Sequence, residues 1–116
     1  MHLLEKKIPK TSTRPAHNLK VGVLGAGRSG IAAIKLLDRK GIPVFLSDAK
    51  SNANLDFLLA SNSLAHVEHE EGGHTDQLLT CDILVISPGI PLTIPILVKA
   101  QKKATRVEWL SNVIEF

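Results

Sequence analysis

Five short apolar runs recur along the chain, at 19–24 (LKVGVL), 43–47 (PVFLS), 64–68 (LAHVE), 82–86 (DILVI) and 105–109 (TRVEW). The first, second and fourth hold β-branched residues and are bounded by Gly, Pro or Asp. That is the pattern of strands buried on both faces of a parallel sheet. Between the runs the apolar spacing becomes helical. Over 28–40, Gly30, Ala33, Ile34 and Leu37 form one stripe, while Lys35, Asp38 and Arg39 face away. Gly41 and Pro43 end that helix. Over 94–104, Ile94, Leu97, Val98 and Gln101 share a face, Pro95 occupies the first turn, and Lys102 and Lys103 suit the negative end of the dipole. Residues 53–61 predict a shorter helix and 74–80 a turn or two. Strand and helix alternate, so the expected fold class is α/β. It is a Rossmann-like, doubly wound, five-stranded parallel sheet in the order 3-2-1-4-5, forming a single domain over 19–116. Its ligand crevice lies beyond the carboxyl ends of strands 1, 2 and 4.

The first strand runs into G-A-G-R-S-G at 25–30. A lone G-x-G-x-x-G is a weak motif, but here it follows a strand and opens an amphipathic helix. Gly25 permits the tight turn, Gly27 lets a ligand approach the backbone, and Gly30 lets helix and strand pack closely. The N–H groups of Arg28, Ser29 and Gly30 point at the crevice, where the helix dipole favours an anion. Asp48 closes the second strand, where dinucleotide enzymes place a ribose-binding carboxylate. A solvated turn aspartate is the plainer alternative. The fourth strand runs into Ser87, Pro88 and Gly89; Pro88 stiffens that corner, and Gly89 is free to take φ > 0 and turn its N–H toward a ligand.

Composition narrows the partners. The net charge is +3, but the first twenty residues hold five of the fourteen basic groups and one of the eleven acids. The basic excess therefore belongs to residues 1–18, read as a flexible arm, and not to the folded body. Aromatics are confined to Phe45, Phe57, Trp109 and Phe116. Without a basic stripe interleaved with stacking rings, no nucleic-acid partner is expected. No run approaches a membrane span, and the start lacks a signal-peptide core, so no membrane partner is expected either. Cys81 is the lone cysteine, which suits a reducing, cytoplasmic setting and a small buried apolar role.

GAGRSGIAAIKLL, FLSDAK, EGGH, CDILVISPGIPLTIP and VEWLSNVIEF, in this order, resemble the N-terminal domain of the Mur ligases over residues 19–116. The branch most alike joins D-glutamate to UDP-N-acetylmuramoyl-L-alanine, and SPGIP is its most specific piece. The resemblance implies a UDP-sugar docking domain of an ATP-dependent, amide-forming ligase, cytoplasmic and inactive alone. By motif, the UDP site would comprise Gly25, Gly27, Arg28, Ser29, Gly30, Asp48, Ala49, Lys50, Ser87, Pro88 and Gly89. The backbone at 28–30 would meet the diphosphate, Asp48 and Ala49 the uracil, Lys50 the phosphates, and Ser87–Gly89 the opposite wall. Ala49 stands where a hydroxyl residue is common, Lys50 where Arg occurs, and Trp109 where a glycine-like residue is usual. ATP and Mg²⁺ would serve the full-length enzyme. No G-x-x-x-x-G-K-[ST] loop occurs here, so this chain is expected to hold no cofactor or catalytic residue, and the remaining ligase domains become its partners in the parent protein.

Two other functions stay open: an NAD(P)-binding domain of a dehydrogenase or regulatory sensor, and a Rossmann-like interaction module that has lost its ligand. The glycine loop and Asp48 serve the first of these as well as they serve UDP. His2, His17, His66, His69 and His74 match no zinc spacing, and no metal site is expected. His66 and His69 are placed on opposite faces of the third strand, His74 in a turn-stabilising role. Glu68, Glu70 and Glu71 read as a solvated loop.

Overall fold

The computed structural model describes residues 19–114; the basic arm expected over 1–18 lies outside them. Strand β1 (Val21–Leu24) leads through the glycine loop into helix α1 (Arg28–Arg39). Then come β2 (Val44–Asp48), α2 (Leu55–Ser61), β3 (Glu68–Glu71), a 3₁₀ turn (Asp76–Thr80) and β4 (Ile83–Ile86). Helix α3 (Pro95–Lys102), β5 (Arg106–Trp109) and the single turn α4 (Ser111–Ile114) follow. All strand pairs are parallel, and the order across the sheet is β3-β2-β1-β4-β5, as the alternation of patterns predicts. Among the described residues no helix is long and apolar enough to cross a membrane.

The strand period of two divides the core. Val21, Val23, Leu46, Ile83 and Val85 pack with Ile34 and Leu37 of α1 and Leu55 and Leu59 of α2. Leu24, Phe45, Leu84 and Ile86 pack on the other face with Leu78, Cys81, Ile96 and Leu97. Cys81 is buried and apolar in its surroundings, as read from its place before β4. The central strands are buried at every position of β1 and β4, which is why their sequences show no polar alternation.

Three expectations are corrected. The third strand is Glu68–Glu71, not 64–68. Leu64 and Val67 are buried, but in the turn that enters β3, so their apolar character reflects packing and not strand pairing. Glu68, Glu70 and Glu71 are therefore strand residues, and His66 lies outside the strand, so it shares no strand faces with His69. Instead His66 Nε2 lies 2.7 Å from Asp38, and His69 Nε2 2.6 Å from Asp56. Finally, α3 buries Ile96, Leu97 and Ala100. Val98 and Gln101 are exposed; Gln101 Nε2 donates to the Leu92 carbonyl, 3.3 Å away, and does not pack inward.

Helix α1 sits so low on the sheet that only glycine fits at position 30. A Cβ built there would lie 2.2 Å from the Gly25 carbonyl oxygen, a backbone atom that cannot step aside. At Gly27 a Cβ would meet nothing within 4 Å. Gly30→Ala is expected to lower stability by about 2–3 kcal/mol despite alanine's better helix propensity. Gly27→Ala should cost less than about 1 kcal/mol. Chemical denaturation of both variants checks this, and the opposite ranking would contradict the packing role of Gly30.

Candidate functional site

The parallel sheet brings the carboxyl ends of β1, β2 and β4 to one edge, and the loops that leave them enclose an open cavity of about 290 Å³. Gly25, Ala26, Gly27, Asp48, Ala49, Lys50, His74, Ser87 and Ile90 line it. The glycine loop forms one side. Gly25 turns the chain at φ +103°, a conformation that L side chains rarely adopt. Its N–H donates to the Ser47 carbonyl at 2.9 Å, carrying the β1–β2 ladder one step past the strand end. Ala26 N–H donates to Asp48 Oδ2 at 2.9 Å, and Lys50 N–H to Asp48 Oδ1 at 2.9 Å. Asp48 is thus no freely solvated turn residue: its carboxylate ties the glycine loop to the end of β2.

Gly27 is the N-cap of α1, with extended backbone (φ −70°, ψ −176°) and no side-chain cap. The N–H groups of Arg28, Ser29 and Gly30 belong to the first turn and have no intrahelical acceptor. They carry the positive end of a twelve-residue helix, which favours an anion. Lys50 contributes a cation at the cavity rim.

Of the residues expected from sequence, Gly25, Gly27, Asp48, Ala49, Lys50 and Ser87 are brought together around this cavity. Arg28 instead lines a neighbouring cavity of about 320 Å³, beyond Gly27, with Ala26, Gly27, Ile31, Ala32, Lys35, Leu58 and Asn62. Ser29 is exposed at the helix mouth, and Gly30 is buried beneath it. Pro88 and Gly89 form an exposed turn closed by Ile90 N–H to the Ser87 carbonyl at 3.1 Å. Gly89 does not adopt the positive φ expected of it; Pro88 and the closing hydrogen bond shape the turn without it.

Ala26, Ile90 and His74 were not among the expected site residues. His74 is held by a polar cluster at the end of β2. Ser47 and Glu70 are register partners on adjacent strands. Ser47 is fully buried, and its Oγ lies 2.7 Å from both Glu70 Oε2 and His74 Nδ1. Glu70 also accepts from Thr75 N–H at 2.9 Å and from the Thr75 hydroxyl. Desolvation pushes the Glu70 carboxyl up, but the hydrogen bonds from Thr75 and Ser47 and the His74 ring outweigh it, leaving the pKa below its ordinary value. Desolvation holds the His74 imidazole below its ordinary value, against the opposing pull of Glu70 and Asp48. His74 therefore stabilises its turn, as the sequence suggests, but also faces the cavity. Glu71 turns the other way, accepting from Asn54 and Leu55 N–H at 3.1 Å each and so capping α2. The acidic stretch is a strand and not a loop; Glu70 and Glu71 are structural, while Glu68 is solvated as expected.

Among the described residues no group of three or more His, Cys, Asp or Glu is arranged to hold a metal ion.

A family model described as the MurD N-terminal domain matches residues 20–93. A UDP-N-acetylmuramoylalanine–D-glutamate ligase of Chlorobium chlorochromatii is 44% identical over 79 residues, covering 66% of this chain and 16% of that protein. The ligase of the same name from Desulfosudis oleivorans is 41% identical over 91 residues, covering 78% and 20%. That from Elusimicrobium minutum is 39% identical over 84 residues, covering 72% and 18%. The chain thus spans a fifth or less of these curated relatives. A solved lactate dehydrogenase of Eimeria maxima superposes with a TM-score of 0.48 at 19% identity, covering 79% of this chain and 31% of that one, too slight a likeness to argue from.

The Glu70 cluster has a signed pH consequence. Its folded pKa is depressed, so its stabilisation is present above the ordinary 4.5 and is lost as pH falls through the lower folded value. Glu70→Gln replaces one acceptor oxygen with a donor and should cost about 1–3 kcal/mol at neutral pH. Urea unfolding of both proteins across pH 3–7, taken as a range of roughly the carboxylate titration, should show that gap narrowing below pH 4.5. A gap constant with pH would contradict the ionised, hydrogen-bonded Glu70.

Proposed function

The chain belongs to the family of MurD N-terminal domains, and from that premise we propose that it docks the UDP moiety of UDP-N-acetylmuramoyl-L-alanine for a ligase that adds D-glutamate. The diphosphate meets the uncapped N–H groups at the mouth of α1, with Lys50 as a point charge beside them. Asp48 and Ala49 face the uracil, and Ser87 with the Pro88–Gly89 turn forms the opposite wall. Arg28 offers its backbone to the phosphates, its side chain lying toward the neighbouring cavity.

The observation that carries this reading is Gly27. Neither its φ nor its packing requires a glycine: its backbone suits any residue, and a Cβ would stand in open space. Gly27 lines both the cavity at the strand ends and its neighbour, so its missing side chain leaves the loop backbone open to a ligand on that side. A glycine that no backbone angle or packing contact requires fits close approach of a ligand. Asp48, meanwhile, keeps the loop in place through Ala26 while retaining lone pairs for a base or ribose.

The ATP and Mg²⁺ chemistry of amide formation does not fit the residues present. The sequence has no G-x-x-x-x-G-K-[ST] loop, and the described residues offer no carboxylate set for the ion. In this chain the residues bind and orient; the chemical step belongs to the rest of the ligase, which is its partner in the parent protein.

Thermal melting with UDP, UDP-N-acetylmuramoyl-L-alanine, NAD and NADP tests the reading. A ligand held at about ten times its Kd stabilises the folded state by about 1.4 kcal/mol, enough to raise the Tm of a small domain by several degrees. The muramoyl nucleotide should give the larger shift and UDP a smaller one. A shift with NAD or NADP alone would instead favour the dehydrogenase-type reading. In Gly27→Val the fold should survive and the nucleotide shift disappear; a folded variant that still binds would contradict a diphosphate at this loop.

A further inference from the structure

The Ser47–Glu70–His74 cluster fixes more than a turn. The Ser47 hydroxyl has one proton and two neighbours at 2.7 Å, Glu70 Oε2 and His74 Nδ1. Glu70 also receives both the N–H and the hydroxyl of Thr75. A carboxyl so surrounded by donors is an anion and can only accept. The Ser47 proton therefore goes to Glu70, and the Ser47 oxygen is left to accept from His74. Nδ1 must carry the imidazole proton, so in the neutral ring Nε2 is a bare acceptor. Among the described residues Nε2 has no hydrogen-bond partner, and it is not buried, since no buried side-chain nitrogen or oxygen lacks one. The ring lines the cavity together with Gly25, Asp48 and Ser87.

We propose that His74 is a recognition residue that accepts a hydrogen bond through Nε2 from an O–H or N–H of the uridine half of the substrate, with Ser47 and Glu70 as the positioning residues that impose its tautomer. The inference rests on the nucleotide-docking reading above. A bare nitrogen lone pair faces an O–H or N–H favourably and a phosphate oxygen unfavourably. The cavity thus has amide donors on the side of the α1 mouth and an acceptor at His74, with Lys50 on its rim. A nucleoside diphosphate has the matching asymmetry, and His74 sets which way round it lies. Asp48 and Glu70 are the charged groups whose fields reach the ring, Lys50 lines the same cavity, and the hydrogen-bond link from Glu70 to the ring runs through Ser47.

Two substitutions separate recognition from structure. His74→Asn keeps an N–H near the Nδ1 position for Ser47 but has nothing at Nε2. His74→Gln can place its carbonyl oxygen near the Nε2 position and gives up the Ser47 bond. By calorimetry on the full chain, His74→Asn should bind UDP about tenfold more weakly and inorganic pyrophosphate as tightly as the parent. His74→Gln should recover most of the UDP affinity. Long-range ¹⁵N–¹H NMR of the parent should show an Nδ1-protonated, neutral His74, both free and with UDP. Unchanged UDP affinity in the Asn variant, or an Nε2-protonated or fully protonated ring in the complex, overturns the proposal alone. A parent chain that binds no UDP overturns the docking reading and this inference with it.

Discussion

The carbonyl oxygen of Gly25 lies where a side chain of residue 30 would have to be, and the cleft is built outward from that contact. It brings the first turn of α1 down onto the end of β1. The same loop is then stitched sideways to β2, by Gly25 N–H on the Ser47 carbonyl and by Ala26 N–H on the Asp48 carboxylate. Two covalently distant strand ends and one helix mouth become a single rigid corner. A helix dipole favours an anion only within about its first turn, and this contact sets that turn beside the cavity that Gly27 lines. The polarity of the parallel sheet does the rest, since β4 necessarily delivers Ser87 to the same edge.

The side of the cavity at the ends of β2 and β3 obeys a different constraint. Ser47 is the last inward residue of β2 on a face that is otherwise apolar, and a buried hydroxyl must be satisfied. Its two partners come from β3 and from the turn after it, so the demand of one buried oxygen recruits Glu70, Thr75 and His74 into an ordered cluster. Fold stability and site chemistry share these atoms. The same hydrogen bonds that satisfy the strand ends also place His74 and the glycine loop on one cavity.

What the sequence reveals follows from the range of the interactions involved. β1, β2, β4 and α1 are legible because their burial is complete and periodic; the stripe of Gly30, Ala33, Ile34 and Leu37 is buried as its spacing predicts. The glycine loop is legible because Gly25 needs a positive φ and Gly30 a missing side chain, both local demands. β3 is not, because an edge strand reading EHEE has no apolar signal, while Leu64 and Val67 before it are buried without being strand. The buried face of α3 is misjudged because Pro95 starts the helix one residue later than the pattern at 94 implies, and Ile96 and Ala100 turn inward. The role of His74 is invisible because its partner Ser47 lies 27 residues away and no periodicity links them. A small clue exists in hindsight: a lone serine ending an apolar strand calls for a partner.

The central claim is that one anion-binding helix mouth and one base-facing strand end act on a single nucleotide. Amide chemical-shift mapping of the ¹⁵N-labelled chain during titration with UDP tests it most directly. The largest changes are expected at Ala26 through Gly30 and at Asp48 through Lys50, with a second group at Ser87 through Ile90 and at His74. Shifts that gather instead along the exposed edge of β5, around Trp109, or that appear only with NAD, would contradict it.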